Sequence, residues 1–210
     1  PKSWYLSGIL FHKIGNLSLA REFLVRAVSI CPDFSDAYNS LACVYKDLGE
    51  FKNSEKAFSS AIGESGGSAE LYANRSDLFR QMEAFENAIR DCNLAIKMNR
   101  TLPVAYGNLA AIQIDLGEWL EAEKSLQTAI KLDSKNASFY VNLSKTMIVL
   151  QRPEEALAAA EDALSLEPNS SHAINALANT YLYKSEFHQA ELLYRQALEL
   201  EPKNIDVLNN

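Results

Sequence analysis

What this chain has little of narrows its function before any motif is read. No stretch approaches the roughly 18 consecutive apolar residues that a membrane-spanning helix needs, so no segment is expected to cross a bilayer. The three histidines, His12, His172 and His188, are scattered. The three cysteines, Cys31, Cys43 and Cys92, show neither a Cys-x-x-Cys pair nor any spacing that would hold zinc. They are read as reduced, small apolar side chains, which points to a cytoplasmic protein. Glycine-rich phosphate loops and nucleophile elbows are absent. No cluster of lysine and arginine exists and the net charge is −7, which argues against nucleic acid, whose binding rests on phosphate neutralisation. Carboxylate neighbours such as Glu154–Glu155 and Glu161–Asp162 fall where a solvated face is expected. No catalytic residue, metal site or cofactor is assigned, and the chain is read as non-enzymatic.

What is present is a period. Six alanines, Ala27, Ala61, Ala95, Ala129, Ala163 and Ala197, stand 34 residues apart. Phased from Pro1, residues 1–204 divide into six units without insertion or deletion. Position 8 of the unit is always small (Gly8, Ala42, Ser76, Ala110, Ser144, Ala178), and so is position 20 (Ala20, Ser54, Ala88, Ala122, Ala156, Ala190). Position 4 is large and mostly aromatic, and position 11 is usually large. Apolar residues at positions 4, 7, 8 and 11 share one helical face, so the first half of each unit reads as a helix. Gly15, Gly49 and Gly117 at position 15 suit a helix C-terminus, and Pro32, Pro168 and Pro202 at position 32 stop the second helix. Pro153 occupies an otherwise aromatic position, but it begins a helix, where its missing N–H costs nothing.

This pattern resembles the tetratricopeptide repeat (TPR) along nearly the entire chain. The resemblance implies an all-α fold, a right-handed TPR superhelix (an α-solenoid) of antiparallel helix pairs. The repeats are expected at 1–34, 35–68, 69–102, 103–136, 137–170 and 171–204, with 205–210 as the start of a truncated seventh. Small residues at 8, 20 and 27 let helix backbones approach, while large residues at 4, 11, 17 and 24 fill the spaces between neighbours. Stacked units share a core that one unit could not build alone. The pattern is least regular at Arg75, Gln113, Cys92 and Ala160, and stacking is expected to be weakest there.

The resemblance further implies that first helices line a concave wall, faced by positions 2, 5, 6, 9, 12 and 13. Position 6 carries Asn74, Asn108 and Asn142, extended by Asn39 and Asn175 at position 5 and Asn179 at position 9. Amide side chains both donate and accept, so a row of them can hold the backbone of an extended peptide. The row is similar to the asparagine ladder in the TPR arm of O-linked N-acetylglucosamine transferases, although asparagine at position 6 is also common across TPRs of every function. The expected peptide-binding residues are Asn39, Asn74, Asp77, Arg80, Asn108, Asn142, Lys145, Asn175 and Asn179, the three charged ones selecting ligand side chains. Apolar wall residues, among them Tyr5, Leu6, Ile9, Val104, Val141 and Val149, are expected to contact a ligand; Ile114 and Ile148 could face either the groove or the packing. The carboxylate clamp of chaperone-tail receptors is absent, since only Asn74 of its five positions matches.

The leading reading is a non-catalytic scaffold or adaptor that binds a peptide or partner protein. One alternative is the substrate-recognition arm of a larger enzyme, such as a protein O-glycosyltransferase. A second is self-assembly through uncapped repeat ends, at Leu177, Tyr181 and Tyr194 and at Val207 and Leu208.

Overall fold

The computed structural model describes residues 1–63 and 66–202; the start of the seventh repeat, with Val207 and Leu208, lies outside them. Twelve helices run in order among the described residues, and no strand occurs there. The first six are α1 (Lys2–Lys13), α2 (Leu17–Ile30), α3 (Ser35–Asp47), α4 (Phe51–Ile62), α5 (Ala69–Gln81) and α6 (Phe85–Met98). The others are α7 (Pro103–Asp115), α8 (Trp119–Leu132), α9 (Ala137–Val149), α10 (Pro153–Leu166), α11 (Ser171–Tyr183) and α12 (Phe187–Leu200). Each 34-residue unit therefore supplies one helix pair, as the period predicts. The chain forms two compact units, one from Pro1 to Ala105 and one from Tyr106 onward.

Helix starts follow local chemistry. Asn16, Ser68, Asn136 and Ser170 each accept a hydrogen bond from a first-turn N–H of the helix they open. Pro153 sits in the first turn of α10, followed by Glu154 and Glu155 at the positive end of the helix dipole.

Helix ends are more uniform than their sequence. At position 15 all six residues have positive φ: Gly15, Gly49 and Gly117, but also Glu83 (57°), Gln151 (60°) and Ser185 (63°). In every repeat the N–H of position 15 donates to the carbonyl of position 12, and that of position 16 to position 11, as in Gly15 to His12 and Asn16 to Phe11. This double bond pattern is the Schellman motif, and it turns the chain from the first helix into the second.

The core sits where those helices meet. Positions 20, 24 and 27 are buried except at the half-buried Tyr194, for example Ala20, Leu24 and Ala27 in the first unit and Ala122, Leu126 and Ala129 in the second. The approach is close: a Cβ on Gly8 would lie 2.5 Å from Leu24 Cγ. Trp119 is half-buried against the cluster of Ala110, Ile114, Ala122 and Leu126.

Irregular positions turn out to be partnered. Arg75, where four other repeats carry leucine, makes two hydrogen bonds to the buried carboxylate of Asp91, at 2.6 and 3.0 Å, and lies over the rings of Tyr72 and Phe79. Ser125 donates to Gln113 Oε1 at 2.7 Å. In α10 Ala156, Ala159, Ala160 and Ala163 are all buried. Of the residues expected at the repeat end, Leu177 is only 7 % exposed, and Tyr194 is half-buried with its hydroxyl bonded to Asn179.

Three substitutions test these packing arguments. Gln151→Gly should raise the denaturation midpoint, adding about 0.5–1 kcal/mol by releasing left-handed strain. Gly49→Ala should cost about 1 kcal/mol although a Cβ there would meet nothing within 4 Å, because the cost is in φ alone. Gly107→Ala would place a Cβ 2.3 Å from Phe139 Cε1 and should cost about 1–3 kcal/mol. That cost should shrink when measured in a Phe139→Leu background, as a double-mutant cycle would show.

Candidate functional site

In the first unit the expected site residues are largely engaged with one another. Asn74 Nδ2 donates to Asn39 Oδ1 at 3.1 Å, so the amide expected to be free for a ligand is spent on the neighbouring repeat. Asp77 gathers three donors: the Lys46 ammonium, Arg80 through Nε and Nη2 at 3.3 and 3.2 Å, and Gln81 at 3.2 Å. Burial pushes the Asp77 carboxyl up, but the adjacent Lys46 and then Arg80 more than reverse this and hold it below its ordinary value. Burial likewise works against the Lys46 ammonium, and Asp77 raises it on balance. His12 Nε2 pairs with Asp47 at 2.6 Å. These contacts bridge α1 to α3 and α3 to α5. The face is a network of internal bonds.

The second unit differs. Between α9 and α11, the first helices of repeats 5 and 6, opens a groove of about 620 Å³. Four of the expected residues converge on it: Asn142 and Lys145 from α9, Asn175 and Asn179 from α11. Asn142 and Lys145 lie three residues apart on one helical face. Asn142 is half-buried, and its amide makes no hydrogen bond among the described residues; Lys145 is exposed and has no ion-pair partner among them. Asn175 is buried and internally engaged, and Asn179 accepts from the Tyr194 hydroxyl at 2.6 Å. Asn108, on α7, is not free either. Of the three position-6 amides expected to be free, that of Asn142 makes no hydrogen bond among the described residues, Asn74 donates to Asn39, and Asn108 is not free.

The apolar wall sorts in the same way. Val141, Ile148 and Val149 line the groove, whereas Ile114 is buried in the core around Leu126 and Phe139. Tyr5 packs on Phe34 with ring centroids 4.8 Å apart, while Leu6 is 63 % exposed and Val104 is exposed as well. His172, Ser144, Leu182 and Tyr183 also line the groove and were not singled out from sequence. Leu182 and Tyr183 occupy the positions of Ile148 and Val149 one repeat on, so periodicity carried that signal. Beneath them Ser144 and Thr180 share a buried hydroxyl pair at 3.1 Å; Thr180 donates to the Ala176 carbonyl, which leaves Ser144 to donate to Thr180.

Other chemistry is sparse. Among the described residues no group of three or more His, Cys, Asp or Glu side chains could hold a metal ion, and no helix is long and apolar enough to cross a membrane. Cys31, Cys43 and Cys92 are unpaired. Burial lifts the Cys43 and Cys92 thiols to about 11, so neither is a ready nucleophile.

Repeated antiparallel helix pairs with a side-chain-lined groove define a helical-repeat interaction protein. Tetratricopeptide repeat models match residues 1–34, 35–65 and 69–102, then 108–172 and 173–205, and the chain belongs to that family. No curated protein matches it. Among solved structures it is similar to the APC/C hetero-tetramer Cut9–Hcn1, at 20% identity and a TM-score of 0.87, over 98% of this chain and 41% of that one. It is also similar to pilF of Pseudomonas aeruginosa, at 15% identity and a TM-score of 0.76, over 99% of this chain and 95% of that one. A third likeness is to YrrB, described as a TPR protein with an unusual peptide-binding site, at 16% identity and a TM-score of 0.57 over 89% of this chain and 96% of that one. At such identities the likeness shows the fold alone. The chain spans less than half the length of the Cut9–Hcn1 chain it matches.

The Asp77 cluster gives a pH dependence of known sign. A carboxyl lowered in the folded state contributes stability that is present above the unfolded value, near 4, and is lost as pH falls through the folded one. Urea midpoints measured between pH 5 and pH 2 should therefore fall more steeply for the native chain than for Asp77→Asn. Parallel profiles would contradict the network.

Proposed function

We propose that the chain is a non-catalytic protein-interaction scaffold that holds an extended peptide segment of a partner between α9 and α11. The observation that supports this reading most is the pairing of an unengaged amide, Asn142, with an unpaired cation, Lys145, in the groove of about 620 Å³. A groove with polar groups left unsatisfied and apolar groups left wet gains from an occupant that meets both. The Asn142 amide can accept from a peptide N–H and donate to a peptide carbonyl, each bond contributing about 0.5–1.5 kcal/mol net. Val141, Ile148, Val149, Leu182 and Tyr183 offer contact to side chains between those bonds. The net charge of −7 disfavours nucleic acid as the occupant.

The substrate-recognition arm of a larger enzyme drew on the likeness to an asparagine ladder at Asn74, Asn108 and Asn142, and the first of these already bonds to Asn39. Self-association would instead draw on α12, where Phe187 is 65 % exposed and Leu192 55 %. Sedimentation over a concentration series separates that reading, since peptide binding requires no change of mass.

Selection of binders from a random peptide library tests the groove. Synthetic versions of the recovered peptides should bind about tenfold more weakly to Asn142→Ala, with two bonds lost, and should be excluded by Val149→Asp. Both variants should keep the native helical spectrum and midpoint, since neither side chain belongs to the buried core. Binders indifferent to both changes would place the interaction elsewhere.

A further inference from the structure

The α9–α11 groove carries one fixed charge, and it is positive. Among the described residues Lys145 lines it together with the ionisable His172 and Tyr183, and no carboxylate does. This occurs in a chain with 27 acidic and 20 basic side chains. Elsewhere on the same protein some cations are paired, Lys46 with Asp77, Arg75 with Asp91, Arg152 with Glu123 and Glu155, and Lys184 with Glu154. Lys145, like Lys52 and Lys131, makes no ion pair among the described residues, but it alone of these lines the groove.

The groove is also divided along its length. Ile148 and Val149 on α9, and Leu182 and Tyr183 on α11, all fall in the last turn of their helix, and three of them are markedly exposed: Val149 45 %, Leu182 38 % and Tyr183 45 %. Asn142, Lys145, His172 and Asn175 lie toward the earlier turns of those helices. From Lys145 to Val149 the helix rises about 6 Å, the length of about two residues of extended chain.

We infer that this groove selects an acidic segment within a partner protein, carrying a side-chain carboxylate for Lys145 within about two residues of a large apolar side chain for the Val149–Leu182–Tyr183 end. The inference rests on the peptide-binding reading above and specifies its ligand. Charge complementarity sets the sign, because a cationic segment would leave Lys145 repelled and unpaired, whereas an acidic one neutralises it in a partly desolvated groove. An internal segment fits better than a chain end. A terminal carboxylate is held by several converging donors, and here one lysine stands beside an amide suited to a backbone that continues in both directions.

The test uses the peptides selected on the native chain, resynthesised with amidated C-termini and measured by fluorescence anisotropy. The recovered sequences should carry Asp or Glu within two residues of Leu, Ile, Phe or Tyr. Changing that acid to its amide should weaken binding about tenfold at low salt and less at high salt. Lys145→Glu should abolish binding of these peptides and accept versions in which the acid is replaced by lysine. Peptides excluded by Val149→Asp but showing no acidic bias, or indifferent to Lys145→Glu, would overturn this inference while leaving the groove as a binding site. Peptides insensitive to Val149→Asp would overturn both readings. Loss of all binding on amidation would assign the carboxylate to a chain end and overturn the internal-segment inference.

Discussion

Everything in this fold depends on how closely the two helices of a repeat approach. The distance is set by side chains that are nearly missing: an alanine at position 27, an alanine or serine at position 20, and a glycine, alanine or serine at position 8. At that separation Leu24 and its counterparts Phe58, Cys92, Leu126 and Ala160 fill the remaining space without exposure to water. Close approach demands a tight turn, and a tight turn demands a left-handed residue at position 15. Three repeats meet that demand with glycine, which adopts the conformation freely. Glu83, Gln151 and Ser185 meet it under strain, held there by the paired turn bonds and by the helices on either side. Packing outweighs local preference at these positions.

The same constraint explains why departures from the pattern come in pairs. Arginine cannot occupy an apolar contact position unless a carboxylate neutralises it, and Asp91 stands across the hairpin from Arg75 to do so. Gln113 replaces a large residue at position 11 and receives the Ser125 hydroxyl. Phe139 stands where four other repeats carry serine or alanine, and Gly107 removes the side chain that would strike its ring. A repeat therefore tolerates a foreign residue when one neighbour changes with it. Irregularity in such an array is not evidence of weakness until the partner has been found.

How much of this the sequence discloses follows from the range of each interaction. Helix pairs, buried positions, glycine turns and the start at Pro153 are legible because they recur every 34 residues and depend on near neighbours. The left-handed conformation of Gln151 was not legible, because nothing about glutamine announces it. Nor was the Asn39–Asn74 bond, which joins different positions of successive repeats, 35 residues apart. Periodicity places both amides on one face but is silent on whether they meet each other or a ligand. Ile114 and Ile148 make the same point. They share position 12, yet one is packed beneath its neighbours and the other lines a groove.

That distinction between engaged and unengaged groups separates the two faces by what each has left to offer a ligand. On α3 and α5 the polar side chains close on one another, and a ligand seeking Asp77 or Asn74 would have to break bonds already made. Each broken bond subtracts from whatever the ligand contributes, so a densely bonded face is a poor binding surface however polar it looks. On α9 the Asn142 amide and the Lys145 ammonium have no side-chain partner among the described residues, and they stand beside exposed apolar groups. An occupant there exchanges solvent for protein at every contact and displaces nothing structural. Identity of residue type at equivalent repeat positions thus gives no equivalence of role; what decides is whether the neighbouring repeat has already supplied the partner.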